Sequence, residues 1–239
     1  RGASLLVGGP LLRRMAPPHQ RAIVSVTNDL VTDNRVHRTS MALVGLGYDV
    51  LLVGRILPGS APLERPYRTK RMRLLFNTGP LFYAEYNLRL FILLLFARAD
   101  LLLANDLDTL LANHLARRGR KLVYDTHEFY TEVPELVGRP MVRRVWLAIE
   151  RWIFPKLRTV ITVNDSIAKA YRDRYGNTVH VVRNIPMKRE LGPVPDRSAL
   201  GLPEDRRILV MQGAGLNIQR GVEEAVLAMK DLPGYLLLL

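Results

Sequence analysis

AIVSVTNDLVTDNRVHRTSMALVGLGYDVLLVG, residues 22–54, is the stretch that decides the fold. The β-branched run Ala22–Asn28 predicts a buried strand, Arg35–Leu46 predicts a helix that Gly47 ends, and Asp49–Gly54 predicts a second strand. Two strands joined through one helix are typical of a parallel pair, because parallel strands need a crossover connection. No G-x-G-x-x-G follows the first strand, which argues against an ordinary NAD-dependent dehydrogenase.

The same alternation of strands and helices continues along the chain. Further strands are predicted at Arg71–Asn77, Asp100–Asn105, Lys121–Asp125, Thr159–Val163 and Val179–Val182, and helices at Glu85–Ala99, Leu107–Arg118, Met141–Leu157 (bent at Pro155) and Ile167–Tyr175. Short connections between such elements predict an α/β fold with a doubly wound, Rossmann-like parallel sheet.

The pattern changes after residue 185. The segment 186–206 is rich in proline and charge, which predicts an interdomain linker. A new strand (Arg207–Gln212), a glycine-bearing loop, a helix (Gly221–Leu232) and another strand (Tyr235–Leu239) then follow. We therefore expect an extension at 1–21, a Rossmann-like domain at 22–185, and the start of a second Rossmann-like domain at 207–239.

Composition narrows the functional classes. The chain has no cysteine, which excludes disulfides and cysteine nucleophiles and fits a reducing, cytoplasmic compartment. Its formal net charge of +13 favours anionic partners, although a solvated basic surface explains the charge equally well. The longest apolar stretch, Leu88–Ala104, is interrupted by Arg89, Arg98 and Asp100 and predicts a buried helix running into a strand instead of a membrane span.

Polar side chains follow four of the predicted strands, where parallel sheets bind their ligands. The candidate residues are Asn28, Asp29, Asn34 and Arg35 after the first strand, Asn105 and Asp106 after Asp100–Ala104, and His127 and Glu128 after Lys121–Asp125. Asp108, and Asp165 or Ser166, are better interpreted as helix N-caps. His127 follows a strand end next to an acid and off any helical core position, so we predict a functional role for it.

Two further segments carry positive charge. Arg220 precedes the helix Gly221–Leu232, whose positive end predicts an anionic ligand such as a diphosphate, unless Glu223 and Glu224 simply screen the arginine. Arg65, Arg68, Lys70, Arg71 and Arg73 lie within nine residues and predict either contact with anionic lipid headgroups or a solvated loop. Nucleic acid is not expected as a partner, because no recognised nucleic-acid-binding module accompanies the charge.

Six segments in this order resemble bacterial family-4 glycosyltransferases. They are VTNDLVTDNRVHRTSMALVGLGYDVLLVGR (26–55), ANDLDTLLAN (104–113), YDTHEFYTEVPEL (124–136), VITVNDSIAKAY (160–171), VVRNIP (181–186) and MQGAGLNIQRGVEEAVLAMK (211–230). The resemblance implies the GT-B fold, in which two Rossmann-like domains enclose the active site. It also implies sugar transfer from a nucleotide sugar, linked to UDP or GDP, to a glycan or lipid-linked acceptor, in polysaccharide synthesis and on or near the cytoplasmic membrane face.

The resemblance also implies roles for particular residues. His127 matches the histidine near the reacting sugar, Arg220 the basic residue that meets the donor diphosphate, and Asn184 the asparagine at the domain crossover. Gly215, Asn217 and Gly221 would complete the donor site, and the strand-end residues would hold the acceptor. Retention of anomeric configuration is implied, with no bound metal or cofactor.

The chain departs from the family pattern in three places. Asn28–Arg35 contains no glycine where the family has a glycine-rich loop, and Ala214-Gly215 replaces the usual Gly-Arg pair. The family's Glu-x₇-Glu region would lie beyond Leu239, so we expect this chain to be inactive alone. Two other functions remain open: a nucleotide-sugar 2-epimerase of the same fold, which would release or isomerise the sugar without an acceptor, and a non-enzymatic protein that binds anions or nucleic acid, with salt-sensitive affinity.

Overall fold

A computed structural model describes residues 20–185, 190, 192–213 and 221–239. The chain divides between Asn184 and Ile185 into two compact units. The first unit contains a seven-stranded sheet and the second a two-stranded sheet, and both sheets are parallel. The predicted α/β class is confirmed.

The seven strands follow the order β3-β2-β1-β4-β5-β6-β7 across the sheet. Their bounds are β1 (Arg21–Asp29), β2 (Asp49–Ile56), β3 (Arg68–Arg73), β4 (Leu101–Asn105), β5 (Lys121–Thr126), β6 (Thr159–Thr162) and β7 (Val179–Val181). The strand order reverses beside β1, which pairs with β2 on one side and β4 on the other. Such a switch point opens a crevice beyond the carboxyl ends of the strands.

The described part of this unit contains five α-helices: α1 (Asn34–Gly45), α2 (Gly79–Phe96), α3 (Leu107–Ala116), α4 (Pro140–Ile153) and α5 (Asp165–Tyr175). Two predicted bounds were wrong by several residues. β3 is Arg68–Arg73 instead of 71–77, because its pairing with β2 stops at the last residue of that strand, Ile56. Helix α2 begins at Gly79 instead of Glu85, since Pro80 is favourable in the first turn of a helix.

The helix predicted at Met141–Leu157, with a bend at Pro155, ends earlier than expected. α4 ends at Ile153, and a 3-10 turn, Phe154–Lys156, contains the proline. A proline after the first turn removes a backbone hydrogen bond, so the α-helix cannot continue through it.

Alternate residues of the strands enter two separate cores. Ile23 and Leu102 pack on the side of α2, α3 and α4, whereas Val24 and Leu103 pack on the side of α1. Because a strand directs successive side chains to opposite faces, the apolar runs predicted from sequence are buried on both sides of the sheet.

The second unit is small in the described residues. β8 (Arg207–Val210) pairs with β9 (Tyr235–Leu238), and α6 (Val222–Ala228) lies between them in sequence. The predicted helix Gly221–Leu232 is shorter than expected, because it continues only as a 3-10 turn, Met229–Asp231. A 3-10 turn at Ser198–Leu200 falls within the predicted linker. Within the described residues, no helix combines the length and apolar character needed to cross a bilayer.

Candidate active site

A polar pocket of about 540 Å³ opens at the carboxyl ends of the central strands of the first unit. Ten residues line it: Asn28, Thr32, Asp33, Asn34, Arg35, Arg38, His127, Glu128, Val163 and Asn184. Six of these were predicted as site residues from sequence, and they come from the junction of β1 with α1, the end of β5 and the end of β7. The reversal of strand order at β1 explains why segments so distant in sequence meet here.

His127 forms part of the pocket wall and follows β5 directly. Its side chain is 18% exposed, so the ring is neither free in solvent nor enclosed in the apolar core. Nδ1 lies 3.3 Å from a carboxylate oxygen of Asp106, and Nε2 lies 3.8 Å from a carboxylate oxygen of Asp125. The imidazole is therefore placed between two acids.

Asp125 is the member of this cluster that sequence analysis missed. Its side chain is only 4% exposed and accepts a hydrogen bond of 2.6 Å from Nη2 of Arg35. The signal in the sequence is an acid that ends the predicted strand Lys121–Asp125 and directly precedes Thr126 and His127. Arg35 comes from the first turn of α1, and so the ion pair ties that helix to the end of β5.

The charges around the imidazole shift the acid–base equilibria of the cluster. Burial lowers the pKa of His127, but Asp125 and Asp106 outweigh that effect and raise it above its ordinary value. Burial likewise opposes ionisation of Asp125, yet His127 and Arg35 hold its pKa below the usual range. Burial raises the pKa of Asp106, and His127 offsets this only in part. The cluster therefore favours a protonated, cationic imidazole that donates hydrogen bonds.

The loop after β1 forms the opposite wall of the pocket. Asp33 caps α1 by accepting a 3.0 Å hydrogen bond from the backbone N–H of Val36, and its other oxygen accepts one from Asn28 Nδ2. On the next turn, Arg38 donates to the side-chain oxygen of Asn184. Asn184 thus joins the pocket, although it was assigned to the donor side.

Three of the predicted acceptor-site residues do not line this pocket. Asn105 is fully buried and donates to the backbone oxygen of Ser25, so it belongs to the core. Asp29 pairs with Arg71 at 3.0 Å and accepts from Ser60, with its side chain 12% exposed. Asp106 is absent from the pocket lining and contacts the ring of His127.

Asp106 also has an unusual backbone conformation. Its φ of 59° and ψ of 167° lie in a region that glycine ordinarily occupies. Its backbone N–H donates to the backbone oxygen of Asp125 at 2.9 Å. The strained residue thus contacts both His127 and Asp125.

Two N-cap predictions were wrong. Asp108 lies inside the first turn of α3 and is buried, where it accepts a 2.6 Å hydrogen bond from Thr27 Oγ1. Burial raises its pKa to about 7, and the negative charge of Asp106 adds to the shift. The cap of α5 is Asn164, which accepts from the backbone N–H of Ile167, rather than Asp165 or Ser166.

The basic segment 65–73 is largely the edge strand β3 rather than a loop. Arg68 donates two hydrogen bonds to Asp49, and Arg71 pairs with Asp29. Two of its five cations are therefore already neutralised by carboxylates.

Much of the predicted donor site falls outside the described residues, namely Gly215, Asn217 and Arg220. Gly221 is described and precedes α6 with a φ of 80°, a left-handed conformation that favours glycine.

A doubly wound parallel sheet with a polar pocket at its switch point defines a ligand-binding α/β domain of the Rossmann-like class. The sequence model of the family described as Glycosyltransferase Family 4 matches residues 33–185 of this chain. The matched range includes His127 and the charged residues around it, Arg35, Asp106 and Asp125. The chain belongs to this family. No curated protein matches it in sequence.

Solved structures with the GT-B fold resemble the chain. Sucrose-phosphate synthase from Thermosynechococcus elongatus has a TM-score of 0.67 and 20% identity over 91% of this chain, which spans only 61% of that enzyme. Os79 from O. sativa in complex with UDP has a TM-score of 0.56 and 13% identity, covering 92% of this chain and 67% of its own. Phytolacca americana UGT2 complexed with UDP-2fluoro-glucose and pterostilbene has a TM-score of 0.55 and 11% identity, covering 92% and 71%. At these identities the likeness shows the fold.

Proposed function

We propose that the complete protein transfers a sugar from a nucleotide-sugar donor to a hydroxyl group of a glycan or lipid-linked acceptor, with retention of anomeric configuration, in cell-envelope polysaccharide synthesis. Membership of Glycosyltransferase Family 4 supports sugar transfer. Two similar structures contain UDP or a UDP-sugar analogue, which supports a UDP-linked donor over a GDP-linked one.

The observation that carries the proposal is the position of His127. The ring borders a polar pocket and is held between Asp106 and Asp125, which favour its protonated form. A protonated imidazole is a poor base but a strong hydrogen-bond donor. We therefore give His127 the role of orienting the donor sugar and stabilising the negative charge that develops on the leaving group.

The reaction then needs no protein base. The bond from the anomeric carbon to the diphosphate oxygen breaks, and a bond from that carbon to the acceptor oxygen forms on the same face. The acceptor's proton passes to the leaving phosphate, which takes the bonding electrons. Arg220 and the helix start at Gly221 are proposed to stabilise the diphosphate from the second domain.

The acceptor is proposed to bind between the loop after β1 and Glu128. Asn28, Asn34 and Glu128 supply amide and carboxylate groups that pair with sugar hydroxyls, and all three line the pocket. Arg35 also borders the pocket, but its ion pair with Asp125 gives it a second function, which is to hold the imidazole cluster in place.

We also propose a cytoplasmic location for the protein and contact of the basic segment 65–73 with an anionic membrane. The absence of cysteine supports a reducing compartment. Arg65, Lys70 and Arg73 are the cations of that segment for which no carboxylate partner is found among the described residues.

The test uses the complete protein with a panel of nucleotide sugars. We expect His127→Ala to lower kcat by at least about 100-fold, the usual loss when one donor to a developing charge is removed. His180→Ala, which alters an exposed histidine of the same unit, should keep activity close to that of the wild type. Near-normal transfer by His127→Ala would overturn the site, and sugar release without any acceptor dependence would replace transferase by epimerase.

A further inference from the structure

Helix α2 carries an apolar face that no described residue covers. Leu81, Leu88 and Phe96 are 58%, 60% and 80% exposed, and Ile92 is exposed between them. Leu75 and Phe76, just before the helix, are also exposed. We call Leu81, Leu88, Ile92 and Phe96, together with Leu75 and Phe76, the α2 face. A contiguous apolar surface of this kind on a soluble domain marks an interaction site.

The spacing makes the α2 face a continuous stripe. Its four helical members are separated by seven, four and four residues, which places them on one side of an α-helix. Phe82, Tyr86, Leu90 and Leu94 occupy the opposite side and are buried in the core. An 18-residue helix is roughly 27 Å long, and apolar side chains occupy its outer surface from the first turn to the last.

Positive charge surrounds this stripe. Lys70, Arg73 and Arg98 are exposed beside it, as is Arg89, which pairs with Glu85 at 2.6 Å, and a groove of about 610 Å³ between β3 and α2 is lined by Lys70, Arg89 and Phe96 among others. Glu85 is the only acid in the segment 68–98. Its side chain is 12% exposed and accepts hydrogen bonds from the backbone N–H groups of Leu75 and Phe76, so it contributes little negative charge to the surface.

We propose that the α2 face docks on the surface of an anionic lipid bilayer. Apolar side chains on one side of a helix, with lysine and arginine at its margins, are the features that hold an interfacial helix in the headgroup region. The cations bind lipid phosphates while leucine, isoleucine and phenylalanine enter the acyl boundary. Charge complementarity distinguishes this occupant from a second copy of the chain, because a two-fold contact would oppose these cations with their own counterparts.

This surface shares Lys70 and Arg73 with the basic segment considered above, and the inference deepens the membrane contact of the proposed function by adding the exposed apolar side chains of α2. Arg68 and Arg71 of that segment pair with Asp49 and Asp29, whereas the α2 face depends on apolar side chains and on cations outside those pairs. The proposal does not rest on the transferase reaction, because docking is measured without donor or acceptor.

The experiment is co-sedimentation of the full chain with vesicles of phosphatidylcholine, with or without roughly a third of phosphatidylglycerol. The triple variant Leu88→Gln, Ile92→Gln, Phe96→Gln keeps the net charge of +13 and alters only exposed positions. We expect the wild type to bind the anionic vesicles and the triple variant to bind them at least about tenfold more weakly. The matched control is Val137→Gln, Met141→Gln, Val145→Gln, which changes exposed apolar residues elsewhere and should bind like the wild type.

A second measurement reports insertion directly. Phe96→Trp should show a blue-shifted emission when anionic vesicles are added, in excess of the signal from the two native tryptophans. Lys70→Gln with Arg73→Gln should weaken binding, and thermal unfolding should show that all variants are folded. Equal binding by the triple variant and its control, or no binding by the wild type, would overturn the proposal. The proposal would also be overturned if the wild type formed a dimer and the triple variant were monomeric, with vesicle binding unaffected.

Discussion

The carboxylate of Asp106 contacts both the backbone and the side chain of His127. One oxygen accepts a hydrogen bond of 2.9 Å from the backbone N–H of His127, and the other oxygen lies 3.3 Å from Nδ1 of its ring. The two residues follow neighbouring strands, β4 and β5, whose last aligned pair is Asn105 and Asp125. Parallel pairing therefore creates the contact. An acid that fixes the orientation of an imidazole through a second bond is a familiar arrangement in catalytic sites.

The first prediction concerns the charge of His127. Replacing Asp106 by asparagine removes one of the two carboxylates that raise the pKa of His127, so that pKa should fall. Histidine NMR titration measures it. Asp165→Asn removes an exposed acid of the same unit, 79% exposed in its side chain, and should leave the His127 titration where it is in the wild type.

The same change should alter how stability depends on pH. The folded-state pKa of His127 lies above its unfolded value of about 6.5. The ion pairs therefore stabilise the fold fully below that value, and their contribution is lost as pH rises through the raised folded pKa. Asp106→Asn should flatten this loss. An unchanged His127 pKa in the variant would show that Asp106 does not influence the ring.

The second prediction concerns Asp108, which lies buried against Thr27. Its folded pKa of about 7 is above the ordinary value of 3.8, so the folded state binds its proton more tightly than the unfolded state. Its contribution to stability consequently falls as pH rises from about 4 to about 7 and is constant above that range. Asp108→Asn removes this titration and should be more stable than the wild type at pH 8 by roughly 2–4 kcal/mol.

Urea unfolding at several pH values between about 5 and 8 measures this difference. The advantage of Asp108→Asn should shrink toward the acid end, where the wild-type carboxyl is protonated. A constant difference across the range would mean that Asp108 does not titrate within it. Asp173→Asn, at an exposed acid of α5, serves as the control and should show no such trend.

The third prediction concerns Gly54, which lies on β2 opposite the loop after β1. A Cβ at this position would lie 2.9 Å from the backbone oxygen of Asn28 and 2.8 Å from Leu30 Cγ, closer than real contacts allow. Gly54→Ala should lower the free energy of unfolding by about 1–3 kcal/mol and displace Asn28, which lines the pocket.

Gly45, the last residue of α1, provides the matched control. A Cβ there meets nothing within 4 Å, so Gly45→Ala should be neutral or stabilising by up to about 1 kcal/mol. Thermal and urea unfolding of the two variants would compare them. Equal stability of the two variants would show that the backbone at Asn28 can shift to make room for the added Cβ.

The fourth prediction concerns Glu150, a fully buried acid on α4. Its carboxylate accepts a hydrogen bond of 2.6 Å from the Tyr175 hydroxyl and lies 3.3 Å from the guanidinium of Arg174. Arg174 also pairs with Glu132, in the turn after His127. Glu150→Ala leaves the buried Tyr171 hydroxyl and the partly buried Tyr175 hydroxyl without this acceptor, so we expect a loss of roughly 1–3 kcal/mol. Urea unfolding measures it, with Asp173→Ala as the control.

That control removes a surface pair. Lys169 and Asp173 are 71% and 61% exposed, and such pairs contribute little, so the loss should be below about 0.5 kcal/mol. Similar losses in the two variants would indicate that the Glu150 network is no more important to the fold than a surface contact.

Local pattern was sufficient to predict most elements, because each strand and helix shows its own period of apolar residues. The predicted bounds were wrong where pairing with a neighbouring strand limits an element. β3, for example, ends opposite the last residue of β2. The site was predicted in part for the same reason. Asn28, Asn34, Arg35, His127, Glu128 and Asn184 do meet in one pocket, because strand ends share one edge of a parallel sheet. Asn105 did not reach it, since the last residue of a buried strand can face the core as readily as the solvent.

The sequence by itself determined the parallel α/β architecture and the position of His127 just beyond a strand, since both follow from contacts close along the chain. Only the tertiary structure decided which charges surround that imidazole. Arg35 and Asp125 are 90 positions apart, and they meet because β1 lies beside β4, next to β5, in a strand order that periodicity does not encode. The physical reason is that hydrophobic period reports which face of an element is buried, whereas the pairing of distant strands depends on how the whole sheet packs.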